Sequence, residues 1–311
     1  MQLTRRTLLT SLPLAGAALA AGAAATTKMK IYLSCGAIGV KANPWQALDY
    51  AAKFGFEAVE ADAGWLSAAS ESDLARYLET MRARNLVWAQ AGLSVEFRKD
   101  EAQFQAGLKD LPLRAKALQR AGVQRVGTWI LPMHPTLTYL ENLKQHATRL
   151  RAVADILDGS GCRLGMEYVG PKTLVASSRF TFVHTLREMR ELMAEINRSN
   201  LGVVLDSWHW FTSGETVEDL KTLTNREVVS VDLNDAPSGV PLDQLVDGRR
   251  EIPCATGVIP VGPFLSALNA LGCDAPVRCE PFNAALRAMQ PEQALQTTID
   301  SLHKAFALIQ S

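Results

Sequence analysis

Cysteine is scarce and shows no pairing motif: Cys35, Cys162, Cys254, Cys273 and Cys279 are scattered, with no CxxC spacing among them. That argues against a structural zinc site and leaves at most one disulfide, whose partners the sequence does not name. An excess of either charge is also missing, since 32 basic residues face 32 acidic ones. Without a basic surplus there is no electrostatic footprint for nucleic acid or for an anionic membrane surface. No run beyond the N-terminal segment is long and apolar enough to cross a bilayer. A glycine-rich phosphate fingerprint is absent too, because Gly36-Ala-Ile-Gly39 after the first apolar run is only a fragment of one.

What is present begins with an export leader over residues 1–25. Arg5-Arg6, within Thr4-Arg-Arg-Thr-Leu-Leu-Thr10, precedes an Ala/Leu stretch that ends in the small residues Ala21-Gly-Ala-Ala-Ala25. Adjacent arginines ahead of a modestly apolar segment predict a twin-arginine signal. The mature chain, residues 26–311, is then expected in the periplasm, folded and loaded with any metal before export. The leader is too short and too rich in Ala and Gly for a membrane span, so no membrane partner is expected after its cleavage. Removing it leaves 30 basic and 32 acidic residues, which is close to neutral.

The remaining length suits one large domain. Short apolar runs rich in Val and Ile fall at 29–35, 56–61, 86–92, 123–131, 162–169, 201–206, 228–233 and 276–282. Segments with helical spacing of Leu and Ala lie between them, at 44–54, 71–84, 101–121, 138–157, 182–197, 217–223, 263–271 and 291–309. Gly55, Asn85, Gly122, Gly161 and Gly272 stand at helix-to-strand joints, where helix C-caps belong. Strict alternation predicts a parallel sheet. Eight units in this length predict a closed (β/α)8 TIM barrel, a single α/β domain over 26–311.

In such a barrel the active site lies at the carboxyl ends of the strands. Four successive apolar runs carry an acid there: Glu167, Asp206, Asp232 and Glu280. A carboxylate in that position is costly unless something charged sits opposite. Four of them converging on one point predict a site for one divalent metal ion with all four as ligands. Hard oxygen donors suit Mn²⁺ or Mg²⁺ first, with Co²⁺ or Zn²⁺ as alternatives. Because four carboxylates exceed the charge of one ion, one or two must hold or move a proton. A metal flanked by glutamates suits proton abstraction next to a carbonyl, through a metal-stabilised enediolate.

Residues near these acids suggest a polyol pocket. His209, three past Asp206, is placed to touch a substrate oxygen. The long polar segment Asp247–Gly257 is expected to cover the substrate, with Arg249 or Arg250 reaching inward. Trp129, Trp208 and Phe282 lie near strand ends, where a flat apolar face can stack on a sugar. His134 is placed at the rim, and Glu60 and Asp62 close the second run within reach of the pocket.

At these residues the chain resembles the xylose isomerase-like barrels of the sugar-phosphate isomerase/epimerase superfamily, which contains ketose 3-epimerases, inosose dehydratase and endonuclease IV. The motifs are Glu167, Asp206-x-x-His209, Val231-Asp-Leu-Asn-Asp235, Arg250 ahead of Pro253, and Glu280-Pro-Phe282. The resemblance implies that Glu167 and Glu280 bind metal and act as the acid/base pair, that Asp206 is a ligand and that His209 contacts substrate. It also exposes two departures. Asp232 stands where these enzymes use a histidine ligand, and their Pro-Gly-x-Gly reads Pro253-Cys-Ala-Thr-Gly257 here, one residue longer.

The expected activity is therefore a divalent-metal-dependent isomerase or epimerase of an unphosphorylated sugar or keto-sugar. Two alternatives stand beside it: a lyase or hydratase that eliminates from a 3-keto-sugar or 3-keto-glycoside on the same site, and an exported sugar-binding protein without catalysis. Endonuclease chemistry is excluded by the shortage of strand-end histidines. The expected partner is a small carbohydrate, with self-association left open.

Overall fold

The eight apolar runs pair edge to edge, all in parallel, and the first closes on the last. The structure, a computed structural model, describes residues 27–310; the expected leader lies outside the described residues. The barrel strands are β1 (Lys30–Leu33), β2 (Ala58–Ala61), β3 (Val87–Gly92), β4 (Arg125–Trp129), β5 (Arg163–Glu167), β6 (Leu201–Asp206), β7 (Val228–Leu233) and β8 (Pro276–Cys279). Their spatial order follows the chain order around a closed ring, with β1 beside both β2 and β8. Each strand feeds a right-handed crossover through a helix, the connection a parallel pair requires.

The helices form because their apolar positions fall on one face. In Leu186–Ile196 the buried residues are Leu186, Met189, Leu192 and Ile196, spaced three or four apart. Burying a side chain of this kind contributes about 1.5–3 kcal/mol, so a four-residue stripe is enough to fix the helix against the sheet. Capping sets the ends. Asn43 and Gln46 form a reciprocal box at the start of Pro44–Phe54, and Thr138 and Glu141 do the same for Tyr139–Asp158. Gly55 and Gly122 close their helices in the left-handed region, at φ 82° and 79°.

The barrel interior is polar along part of its axis. Gln90 Nε2 donates to the Tyr32 hydroxyl at 3.0 Å, and that hydroxyl lies 3.4 Å from Ser230 Oγ. Gly127 makes room for this column, since a methyl group there would sit 2.3 Å from Gln90 Oε1.

The elements depart from expectation at their edges. The helix expected over 217–223 stops at Leu220, and the one expected from 182 begins at Leu186. Two-residue strands, Met133–His134 and Phe180–Thr181, pair antiparallel outside the barrel. All five cysteines are free thiols, and no described helix is long and apolar enough to cross a membrane.

Candidate active site

Strand register brings the acids together. Asp206 and Asp232 are directly opposite on β6 and β7, Asp232 is opposite Arg278 on β8, and Trp129 is opposite Glu167 on β4 and β5. Partners in register point to the same side of a sheet, so Asp206, Asp232 and Arg278 all face the barrel axis. Glu280, two residues beyond Arg278, joins them one step nearer the mouth. Asp206 and Asp232 have no solvent exposure, and Glu167 has 9%.

Two arginines, Arg250 buried and Arg278 partly buried, balance part of this charge. Arg278 donates through Nε and Nη2 to the two carboxylate oxygens of Asp232, both at 2.8 Å, and through Nη2 to Glu280 Oε1 at 2.6 Å. Arg250 donates through Nη1 to Asp206 Oδ2 at 2.7 Å and to the Glu280 carbonyl at 3.3 Å, and through Nη2 to Asp247 Oδ1 at 2.8 Å. Its guanidinium carbon also lies 4.5 Å from the centre of the Phe282 ring. Asp206 Oδ1 accepts from the Trp208 amide and from Asn234 Nδ2. Such pairs survive burial only when their lone pairs and protons are matched this closely.

Asp235 fixes the loop that delivers Arg250. This fully buried carboxylate accepts from the amides of Ala236, Thr256, Gly257 and Ile259, at 2.7 to 2.9 Å. The backbones of Asp235 and Glu251 pair as well.

The acids still outnumber the arginines, and their protonation reflects it. Burial, followed by the charges of Glu280, Asp206 and Asp232, holds the Glu167 carboxyl well above the usual carboxylate range. This environment favours its protonated form. Burial lifts Asp206 to about 7 against the opposing Arg250, and raises Glu280 against Arg278. His209 is pushed well below its usual range, by burial first and Arg250 second, so the ring is neutral. Both ring nitrogens stand against donors, the Gly170 amide 3.2 Å from Nδ1 and Arg250 Nη2 3.2 Å from Nε2, and a guanidinium can only donate. Nε2 lies 3.6 Å from Asp206 Oδ2 and 3.9 Å from Glu167 Oε1. Gly170 is required here because a side chain would lie 2.5 Å from the His209 carbonyl.

A cavity of about 430 Å³ opens over these groups, lined by Glu167, His209, Arg250 and Glu280 together with Trp129 and Phe282. A second, of about 370 Å³, lies over the ends of β1 to β3, with Glu60, Asp62 and Arg114 in its wall. Glu60 accepts from Ser34 Oγ at 2.7 Å and lies 3.9 Å from Arg278 Nη1. Asp62 caps the short helix Ala63–Ala68.

Two donor sets could hold a metal ion, Glu167–Asp206–His209 and Glu167–Asp232–Glu280, the chosen atoms of each lying within 4.8 Å of one another. Glu167 Oε1, which is buried and accepts no hydrogen bond from any described residue, belongs to the glutamate common to both. An open acceptor inside an acidic cluster fits a divalent ion.

Most of the expected residues meet in this place: Glu167, Asp206, Asp232, Glu280, His209, Arg250 and Trp129. Arg249 does not, since its side chain is exposed and only Arg250 turns inward. Trp208 is fully buried, whereas Trp129 and Phe282 are 41% and 37% exposed and present their rings to the mouth. His134 lies off the cavity, its Nδ1 accepting from the Leu137 amide at 2.8 Å. Sequence reasoning missed Arg278, Asn234 and Asp247. The signal for the first two was two-residue alternation, which puts Arg278 on the face of Glu280 and Asn234 on that of Asp232.

Comparison with known proteins agrees with this geometry. The sequence profile of the xylose isomerase-like TIM barrel family matches residues 48–305. The inosose isomerase of Bacillus subtilis (strain 168) is 29% identical over 163 residues, 51% of this chain. The match spans 55% of that relative, about half its length. The inosose isomerase of Bacillus velezensis is 24% identical over 260 residues, 82% of this chain and 89% of that one. Among solved structures, a xylose isomerase domain protein from Alicyclobacillus acidocaldarius superposes with a TM-score of 0.79 at 31% identity, over 90% of this chain and 99% of the other. The IOLI protein with a bound zinc atom superposes with a TM-score of 0.75 at 23% identity, over 91% of this chain and 100% of its own, a likeness of fold. A closed eight-stranded barrel with acids at the ends of β5 to β8 and a profile match over most of its length places this chain in the xylose isomerase-like TIM barrel family.

Proposed function

We propose that this protein is an isomerase or epimerase of an unphosphorylated sugar or keto-sugar, working by proton transfer next to a carbonyl. The observation that carries this reading is the pairing of Glu167 with Glu280. Their carboxylate oxygens lie within 4.8 Å of each other and both line the cavity. Burial raises both carboxyls, and at Glu280 the Arg278 guanidinium, 2.6 Å from Oε1, opposes that rise, so Glu280 is the readier of the two to act as a carboxylate. One group that can give a proton beside one that can take it is what an enediolate route needs. The inosose isomerase relatives are consistent with this chemistry.

His209, neutral and lining the cavity, is the group that contacts a substrate oxygen. Trp129 and Phe282 offer exposed rings for an apolar sugar face. Arg250, the arginine lining this cavity, is fully engaged by Asp206, Asp247 and the Glu280 carbonyl. It has nothing free for a phosphate, which favours an unphosphorylated substrate. A divalent ion would be held by Glu167 with Asp206 and His209, or with Asp232 and Glu280, and when bound it would polarise the carbonyl and hydroxyl oxygens. Mn²⁺ or Mg²⁺ suits the oxygen donors. The twin-arginine leader makes the periplasm the proposed location, which fractionation of cells expressing the full chain tests.

A second reading, elimination from a 3-keto-glycoside, is favoured by the neighbouring cavity over β1 to β3. It offers space for a second sugar or an aglycone beyond Glu60.

Incubation with a ketose and with a 3-keto-glycoside in deuterated water separates the readings. Deuterium in a recovered epimer is the expected result, and an unsaturated product with released aglycone would establish elimination. Glu167→Gln and Glu280→Gln are each expected to lower kcat at least about 100-fold with the fold retained. Saturable sugar binding without exchange would leave a binding protein, and full turnover in either variant would remove the acid/base assignment.

A further inference from the structure

The donor set Glu167–Asp232–Glu280 already has a cation inside it. Arg278 Nη2 donates to Asp232 Oδ2 at 2.8 Å and to Glu280 Oε1 at 2.6 Å, so one nitrogen bridges two of the three carboxylates. Nε completes a two-bond fork on Asp232, the strong, geometrically fixed form of an arginine–carboxylate pair. Arg278 is rooted directly opposite Asp232 in the β7–β8 register. Neither side chain can turn away without leaving a buried charge alone.

We propose that Arg278 is a resident cation of the site, which competes with the divalent ion and removes Asp232 from its ligands. This rests on the reading that the site binds such an ion. The two aspartates differ in what an ion must displace. At Asp206 it meets one N–H on Oδ2, and Arg250 keeps Asp247 and the Glu280 carbonyl as partners. At Asp232 both oxygens are held by the same guanidinium, so an ion on either oxygen must open one arm of the fork and break its two-bond geometry. An ion on Asp232 would also stand against a guanidinium across the width of one carboxylate, where like charges repel strongly because the group is buried. Arg278 thereby sets ion affinity: it supplies permanently, at β8, part of the positive charge that the ion would otherwise supply.

The test is calorimetric titration of Mn²⁺ into the chelator-stripped full chain, a readout that does not depend on turnover. Arg278→Met is expected to bind Mn²⁺ at least 10-fold more tightly than the natural chain. Asp232→Asn is expected to stay within 3-fold of it, and Glu167→Gln to lose at least 10-fold. Because Arg278→Met strands a buried aspartate and can fail to fold, the paired variant Asp232→Asn/Arg278→Met, which removes both charges, decides the matter. It too is expected to bind more tightly than the natural chain. Weaker binding by the paired variant would make Asp232 a ligand and overturn the proposal, whereas a loss in Asp232→Asn that the added Arg278→Met reverses supports it, because the single change uncovers the charge of Arg278. Binding by the paired variant but not by the natural chain supports the proposal and removes the ion from the proposed function. Binding by none of them overturns both, while the deuterium experiment judges the isomerase reading separately.

Discussion

Arg250 Nη1 and Asp206 Oδ2 lie 2.7 Å apart in a pair with almost no solvent exposure on either side. A loop residue thus neutralises the acid that ends β6, and the loop's placement and the site's charge become one property. The consequences can be measured.

Replacing Arg250 by Met leaves Asp206 buried without its cation. The expected loss is about 3–5 kcal/mol of stability, the usual result of breaking a buried pair from one side. Arg250→Lys keeps the charge but not the planar fork, and should fall between the two. Denaturant unfolding checks both, and a loss below about 1 kcal/mol for the Met variant would show that Asp206 is held by Asn234 and the Trp208 amide alone.

Trp129 is 41% exposed and packs under the Arg98 guanidinium, whose central carbon lies 4.3 Å from the ring centre. Trp129→Ala should leave stability within about 1 kcal/mol. If the ring is a sugar platform, KM rises by roughly 10-fold while kcat holds, the mark of lost uniform binding. Unchanged KM would assign the ring to packing against Arg98.

Glu215 gives a pH dependence away from the acids at the barrel mouth. Burial raises its carboxyl to about 7, although the Tyr168 hydroxyl and the Leu186 amide both donate to it. An acid whose folded pKa is raised binds its proton more tightly in the folded state, so stability falls as pH rises from the unfolded value near 4.5 to about 7. The loss is about 2–3 kcal/mol and is complete above that window. Glu215→Gln removes this component, so the stability difference between variant and natural chain should change across it. Thermal or denaturant unfolding at pH 4.5, 6 and 8 measures the difference; parallel curves would mean that Glu215 titrates normally.

The barrel and its acids were legible in the sequence because both rest on short-range order. Alternating apolar runs fix strands, and the last residue of a run fixes what stands at the mouth. Arg278 was hidden by the same logic, since attention to the final residue of Val277–Glu280 passed over the charge two places earlier on the same face. The choice of Arg250 over Arg249 was not readable either, for a loop has no periodicity to tell neighbours apart. Trp208 and His209 diverge because the short helix Ser207–Thr212 turns about 100° per residue, carrying the indole into the core and the imidazole to the cavity. The small antiparallel pair outside the barrel depends on two distant loops meeting, a long-range event that neither loop announces.

The carboxylate of Asp235, grasped by the backbone amides of Ala236, Thr256, Gly257 and Ile259, clamps together the two ends of the connection that follows β7. The root is mortared, while the stretch between its ends is left open to change. Altered specificity should be sought in the exposed stretch before Arg250 and in the aromatic rim, which can change while the anchored root stays as it is.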